Sequence, residues 1–93
     1  MKMHELLDSP EKWTQGAWGR NKDGIPSSID PVCWCLIGAS DQCYNYYESM
    51  EARQKIRQEL QKRDLDYTSI ANWNDDPKRT FEEVQQLLKK LDI

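Results

Sequence analysis

Histidine is almost missing from this chain: His4 is the single one in 93 residues. The commonest general base and metal ligand is therefore confined to one end of the sequence. Long apolar runs are missing too. None approaches the roughly 18 consecutive residues that a membrane-spanning helix needs, so no membrane partner is expected. Nor is there a basic excess. Thirteen Lys and Arg stand against sixteen Asp and Glu, a formal net charge of −3. General nucleic-acid binding needs a basic face, which argues against that partner class. The opening stretch, Met1 to Asp8, is too short and too acidic for a signal peptide, so a cytoplasmic protein is expected.

Cysteines are few and odd in number, at 33, 35 and 43. That speaks for reduced thiols rather than a disulfide framework. Cys33-Trp34-Cys35 invites a metal reading, but helical geometry opposes it. Two residues apart on a helix is about 200° around the axis, and Cys43 would lie about 12 Å beyond Cys35. His4 would have to be the fourth ligand. Buried, inert thiols are the expectation for Cys35 and Cys43, with Cys33 more exposed. A cysteine nucleophile would also depend on His4, on a predicted terminal helix. No carboxylate pair stands out for acid–base work. No catalytic residue, metal or cofactor is therefore assigned.

What the chain does have is aromatics. Hydrophobic residues make up 38%, and four Trp and four Tyr are among them. Each ring can bury roughly 150–250 Å², so a small core leans on them. The length fits a single domain over residues 1–93.

The pattern predicts a mostly α-helical domain with a short N-terminal β-hairpin. Met3, Leu6 and Leu7 mark a first short helix, and Ser9-Pro10 starts a further turn ending near Trp13. Residues 13–29 read as a small irregular hairpin. Asp23-Gly24 supplies its turn, and the 25–29 stretch returns as an edge strand because of Pro26. Asp30-Pro31 reads as cap and first residue of a helix running to about Tyr46 or Tyr47. Val32, Cys35, Leu36, Ala39 and Cys43 form its apolar stripe. Gly38 within it suggests that another element, the hairpin or Trp73, comes close to the backbone.

Residues 48–64 predict a mostly solvated helix, with a narrow apolar stripe of Met50, Ile56 and Leu60, with Ala52. A short helix capped by Asp66 leads to Trp73, and Asn74-Asp75-Asp76-Pro77 breaks the chain. Thr80-Phe81-Glu82-Glu83 is a capping box that opens a last helix with Phe81, Val84, Leu87, Leu88 and Leu91 on its apolar face.

Two places invite a binding role. Trp18, Arg20 and the tyrosines, Tyr44 and Tyr47 among them, combine residue types that dominate partner interfaces. The plainer alternative is core aromatics with incidental exposure. Trp73-Asn74-Asp75, with Asp76, Arg79 and Thr80, sets polar groups just before a helix N-terminus, a corner that suits an anion or small ligand. The alternative there is that Asn74 and Asp75 hold the turn, with an Asp75–Arg79 clamp, and let Trp73 plug the core.

Trp13-Thr14-Gln15-Gly16, Trp34-Cys35-Leu36-Ile37-Gly38-Ala39 and Trp73-Asn74-Asp75 occur in this order, followed by Arg79-Thr80 and Glu83-Val84. In these the chain resembles an uncharacterised family of small bacterial and phage proteins. That family, a domain of unknown function, carries Trp-Cys-Leu-x-Gly-Ala and Trp-Asn-Asp motifs. The resemblance covers most of residues 13–88 and implies a shared signature but no reaction. The expected function is a non-enzymatic binding or regulatory protein acting by protein–protein contact. It would be phage or mobile-element encoded, tuning or inhibiting a host factor. A second copy of the chain is a candidate partner. The alternative is a small-molecule or nucleotide-binding domain, even an enzyme, with a cleft near Trp34 and Asn74-Asp75.

Overall fold

The computed structural model describes residues 1–63 and 69–93. The chain runs through α1 (Met3–Leu6), a 3-10 turn (Pro10–Lys12), β1 (Gly19–Arg20) and β2 (Cys33–Trp34). It continues through α2 (Leu36–Cys43), α3 (Tyr46–Lys62), α4 (Ile70–Asp75) and α5 (Phe81–Leu91). The architecture is mostly α-helical with one small antiparallel β ribbon, as the pattern predicts.

α5 follows its sequence closely. Thr80 Oγ1 accepts from Glu83 N at 3.2 Å, and Glu83 Oε1 accepts from Thr80 N at 2.9 Å. This reciprocal box satisfies two amides that a helix start would leave bare. Val84, Leu87 and Leu88 are fully buried. They meet Met3 and Leu7 of the N-terminal segment, Leu36 and Ala39 of α2, Ala52, Ile56 and Leu60 of α3, and Ile70 and Trp73 of α4 in one core. The two ends of the chain join there as well. His4 N donates to Ile93 O at 3.1 Å, and Lys2 pairs with Asp92.

The middle of the chain departs from its sequence pattern. Asp30-Pro31 does not open a helix: Asp30 has a left-handed backbone, φ 51°, and Cys33–Trp34 is extended. β2 pairs antiparallel with β1, Gly19 opposite Trp34 and Arg20 opposite Cys33. The helix starts five residues after Pro31, at Leu36, with Cys35 as its cap. Strand pairing satisfies the backbone of 32–35, for Val32 N reaches Arg20 O and Cys35 N reaches Trp18 O. Those long-range bonds outweigh the local start signal. Val32, placed on the stripe by periodicity, is consequently exposed, while Cys35, Leu36 and Ala39 are buried as expected.

The 25–29 stretch does return beside β1, but only as a bridge between Arg20 and Pro26. Gly24 turns the chain with φ 78°, the conformation its place after Asp23 predicts. β1 thus lies between this bridge and β2.

The predicted helix to Tyr46 or Tyr47 is two helices. α2 ends at Cys43, and Asn45 caps α3 through a second capping box with Glu48. The Asn-x-x-Glu spacing was available in the sequence. α3 begins two residues earlier than expected, and its predicted end at residue 64 and the Asp66 cap lie outside the described residues. Within them, α4 is capped by Ser69, whose Oγ accepts from Asn72 N at 3.1 Å.

Candidate functional site

Asn74 sits in the last turn of α4, completely buried. It is not part of a loop after the helix, which corrects the corner expected there. Its Oδ1 accepts from Trp13 Nε1 at 2.8 Å and from Leu36 N at 3.1 Å. Its Nδ2 donates to Thr14 O at 3.1 Å and to Asp75 Oδ1 at 2.8 Å. An amide side chain has two acceptor sites and two donors, and all four are used. Asn74 therefore ties the 13–15 segment to the start of α2 and supplies that helix with a cap from a distant part of the chain.

The surrounding bonds extend the clamp. Gln15 Nε2 donates to Asn74 O and Asp76 O, and Gly16 N donates to Asp75 Oδ1. Asp75 thus reaches back to Gly16. Arg79 instead pairs with Glu83 at 2.9 Å and Asp76 at 3.9 Å. It also donates to Trp73 O and lies 3.8 Å from the centre of the Trp73 ring. Trp73 itself is 1% exposed. Trp73 and Asn74 have little surface left to offer a ligand. They hold the scaffold.

An open cleft lies along the ribbon. It has a volume of about 640 Å³ and is walled by Trp18, Trp34, Pro26 and Pro31, with Asp41 and Gln42 of α2 beside them. One wall is fixed by an unusually close approach. A Cβ at Gly38 would lie 1.9 Å from Trp18 O, so only glycine lets the hairpin backbone rest on α2 there. The close-approach reading of Gly38 holds, and the hairpin is the element that approaches.

Trp18 is 67% exposed at the cleft. Trp34 is half-buried and packs on the core. Its indole N–H is buried and has no hydrogen-bond partner among the described residues. Arg20 is committed to the hairpin: Nε bonds Thr14 Oγ1, and its two terminal nitrogens bond Gly24 O and Gln15 O, all at 3.0–3.1 Å. Tyr47 is 79% exposed, but at the start of α3, stacked edge-on with Tyr46. Tyr44 is half-buried at the end of α2. Of the eight residues singled out from the sequence, the cleft brings together Trp18 and Trp34. Asn74 and Asp75 lie in the clamp rather than in its wall.

Asp41 anchors the cleft floor to α3. Its Oδ1 accepts from Arg53 at 2.6 Å and lies 2.9 Å from Ser49 Oγ. Arg53 Nε also donates to buried Ser40 Oγ at 3.1 Å. Nothing in the local pattern around Asp41, Pro26, Pro31 or Gln42 marks them as neighbours. Gly38, a helix-interior glycine, was the one available signal.

The ribbon sets Cys33 apart, while Cys35 and Cys43 lie at opposite ends of α2, separated along the helix as expected. Cys33 is on β2. Cys35 caps α2, its Sγ accepting from Gly38 N at 3.4 Å. Burial pushes the Cys35 and Cys43 thiols up from their ordinary value, away from the reactive thiolate. Among the described residues, no group of three or more His, Cys, Asp or Glu is placed to hold a metal ion.

Fold and site together define a small helical domain in which a buried asparagine clamps a β ribbon over a helix and leaves an aromatic cleft open. By sequence, the chain belongs to a family of unknown function, DUF6197, whose model matches residues 1–91. No curated protein and no solved structure matches it. Among the described residues no helix is long and apolar enough to cross a membrane.

Proposed function

We propose that this chain is a non-enzymatic binding or regulatory protein that works by contact with a protein partner through the Trp18 face. The observation carrying this reading is the presentation of Trp18. Its side chain is 67% exposed, yet its backbone is fixed, accepting from Cys35 N at 3.1 Å and resting against Gly38. A large aromatic on a rigid backbone beside a cleft is how interface hot spots are built, because little ordering is left to do on binding. Ile25, Ile29 and Val32 are exposed along the same hairpin and its return. The proposal extends to a bacterial or phage source, a cytoplasmic setting and a role in tuning or inhibiting a host factor. The Trp-Cys-Leu-x-Gly-Ala and Trp-Asn-Asp motifs then serve the family as scaffold, through Gly38 and Asn74. A second copy of the chain is one candidate for the partner.

A small-molecule reading has its own support. The cleft volume lies in the roughly 300–1,000 Å³ range of ligand pockets. Its location is the hairpin and Trp34, without the Asn74-Asp75 corner. The protein-contact reading is preferred because the most exposed large apolar group of the cleft points to a surface rather than an enclosed pocket.

Trp18→Ala tests the choice. The variant is expected to keep its melting temperature, with a stability change within about 0.5 kcal/mol for a surface substitution. It is expected to lose partners that the native chain captures from its host. Unchanged capture of every partner would sink the contact reading.

A further inference from the structure

The cleft has a single ionisable side chain among its lining residues, and it is acidic: Asp41. Arg53 and Ser49 engage its Oδ1, and no hydrogen bond from the described residues reaches Oδ2. The Asp41 side chain is 46% exposed, whereas that of Arg53 is 15% exposed. The carboxylate is thus presented while its own counter-charge is mostly covered. Trp18 and Trp34 line the same cleft.

Indole faces beside a carboxylate suit a guanidinium, which is planar, stacks on aromatic rings and donates hydrogen bonds at its edge. The molecule satisfies this combination once already, inside itself. The Arg79 guanidinium lies 3.8 Å from the Trp73 ring centre, with Glu83 at 2.9 Å and Asp76 at 3.9 Å. The cleft offers indoles and a carboxylate, with open volume and no cationic side chain in its lining.

We propose that the cleft receives an arginine side chain from the partner protein, stacked on Trp18 and bonded to Asp41 Oδ2. This rests on the contact reading above and names the chemistry of what is contacted. Arginine fits better than lysine because a compact ammonium cannot stack flat on the ring. The net charge of −3 favours approach of a basic segment.

The test is an amide chemical-shift titration of the full chain with two short capped peptides, one carrying arginine and one carrying its neutral isostere citrulline. The arginine peptide is expected to shift Gly19, Gly38 and Gln42. The citrulline peptide is expected to bind about tenfold more weakly, the loss of the charge on the stacked group. Asp41→Asn keeps an Oδ1 acceptor for Arg53 and is expected to weaken the arginine peptide about fivefold. Equal binding of the two peptides, or arginine-dependent shifts that map away from the cleft, would overturn the assignment. The citrulline arm does not depend on how any variant folds. If the peptides bind equally while Trp18→Ala still abolishes partner capture, the arginine assignment fails and the contact reading stands. If Trp18→Ala leaves capture intact, both fall.

Discussion

The final helix buries Val84, Leu87 and Leu88 completely, whereas the stretch from Trp13 to Trp34 buries only Gly19. α5 is held by distributed apolar area, which tolerates small errors of position. The ribbon has two residues per strand and is held instead at a few polar points, chiefly Asn74, Gln15 and Arg20. Such points are all-or-none. Removing one partner leaves a buried donor or acceptor unmatched, a loss of about 1–3 kcal/mol for each group. The comparison teaches why the candidate cleft lies where it does. A region without its own core can expose its aromatics, provided that something else fixes its backbone.

The sharpest way to break this comparison is Asn74→Ala. It strands the Trp13 indole N–H and the Leu36 amide together, and we expect a loss of about 3–5 kcal/mol in denaturant unfolding. Hydrogen exchange should show residues 13–16 and 35–36 losing protection before α5 does. A loss under about 1 kcal/mol would mean that the ribbon is held by something other than the clamp.

Gly38→Ala comes next. Alanine is the better helix former by about 1 kcal/mol, yet its Cβ would meet Trp18 O at 1.9 Å. We expect net destabilisation of about 1–3 kcal/mol, as for other overpacked contacts. A stabilised variant would show that ribbon and helix separate easily.

On the α5 side, Thr80→Ala removes one half of the capping box and should lower stability by about 1 kcal/mol. Its effect should stay local to the start of α5, without loosening residues 13–16. If protection fell in both regions together, the separation drawn between them would be wrong.

The smallest expected effect is on the acid limb. Glu59 accepts from Lys90 at 2.7 Å and Arg63 at 3.0 Å. The hydrogen bond from Lys90, then that from Arg63, holds its carboxyl below the ordinary glutamate value. A lowered carboxylate value stabilises the fold fully above the ordinary value and loses that contribution as pH falls through the folded one. Glu59→Gln should therefore flatten the acid limb of a stability-against-pH curve while leaving its neutral-to-alkaline slope alone. An acid limb of unchanged steepness would remove Glu59 from the account.

The outcome of the sequence reading follows the range of the interactions involved. The α5 box and the Gly24 turn were legible because their partners lie within four residues. The start of α2 was misplaced because Leu36 N is capped by Asn74, which no local pattern links to it. Arg20 carried the right residue type for an interface, but its three nitrogens all bond within the hairpin. Asn74 and Asp75 stand out in the sequence, but the segments that they bond to, 13–16 and the start of α2, are far from them in the chain.

By itself, the sequence determined the helical class, most of the inward positions of α3 and α5 (Met50 and Phe81 stay outside the core), the turn at Gly24 and the need for close approach at Gly38. Those follow from periodicity, capping and backbone sterics, which act over a few residues. Only the tertiary structure decided that 33–34 would be a strand, that Asn74 would join three segments, and that Trp18 and Trp34 would share a cleft with Asp41. Each of those depends on groups far apart in the chain meeting in space, where one long-range bond to a buried amide outweighs a local helix signal.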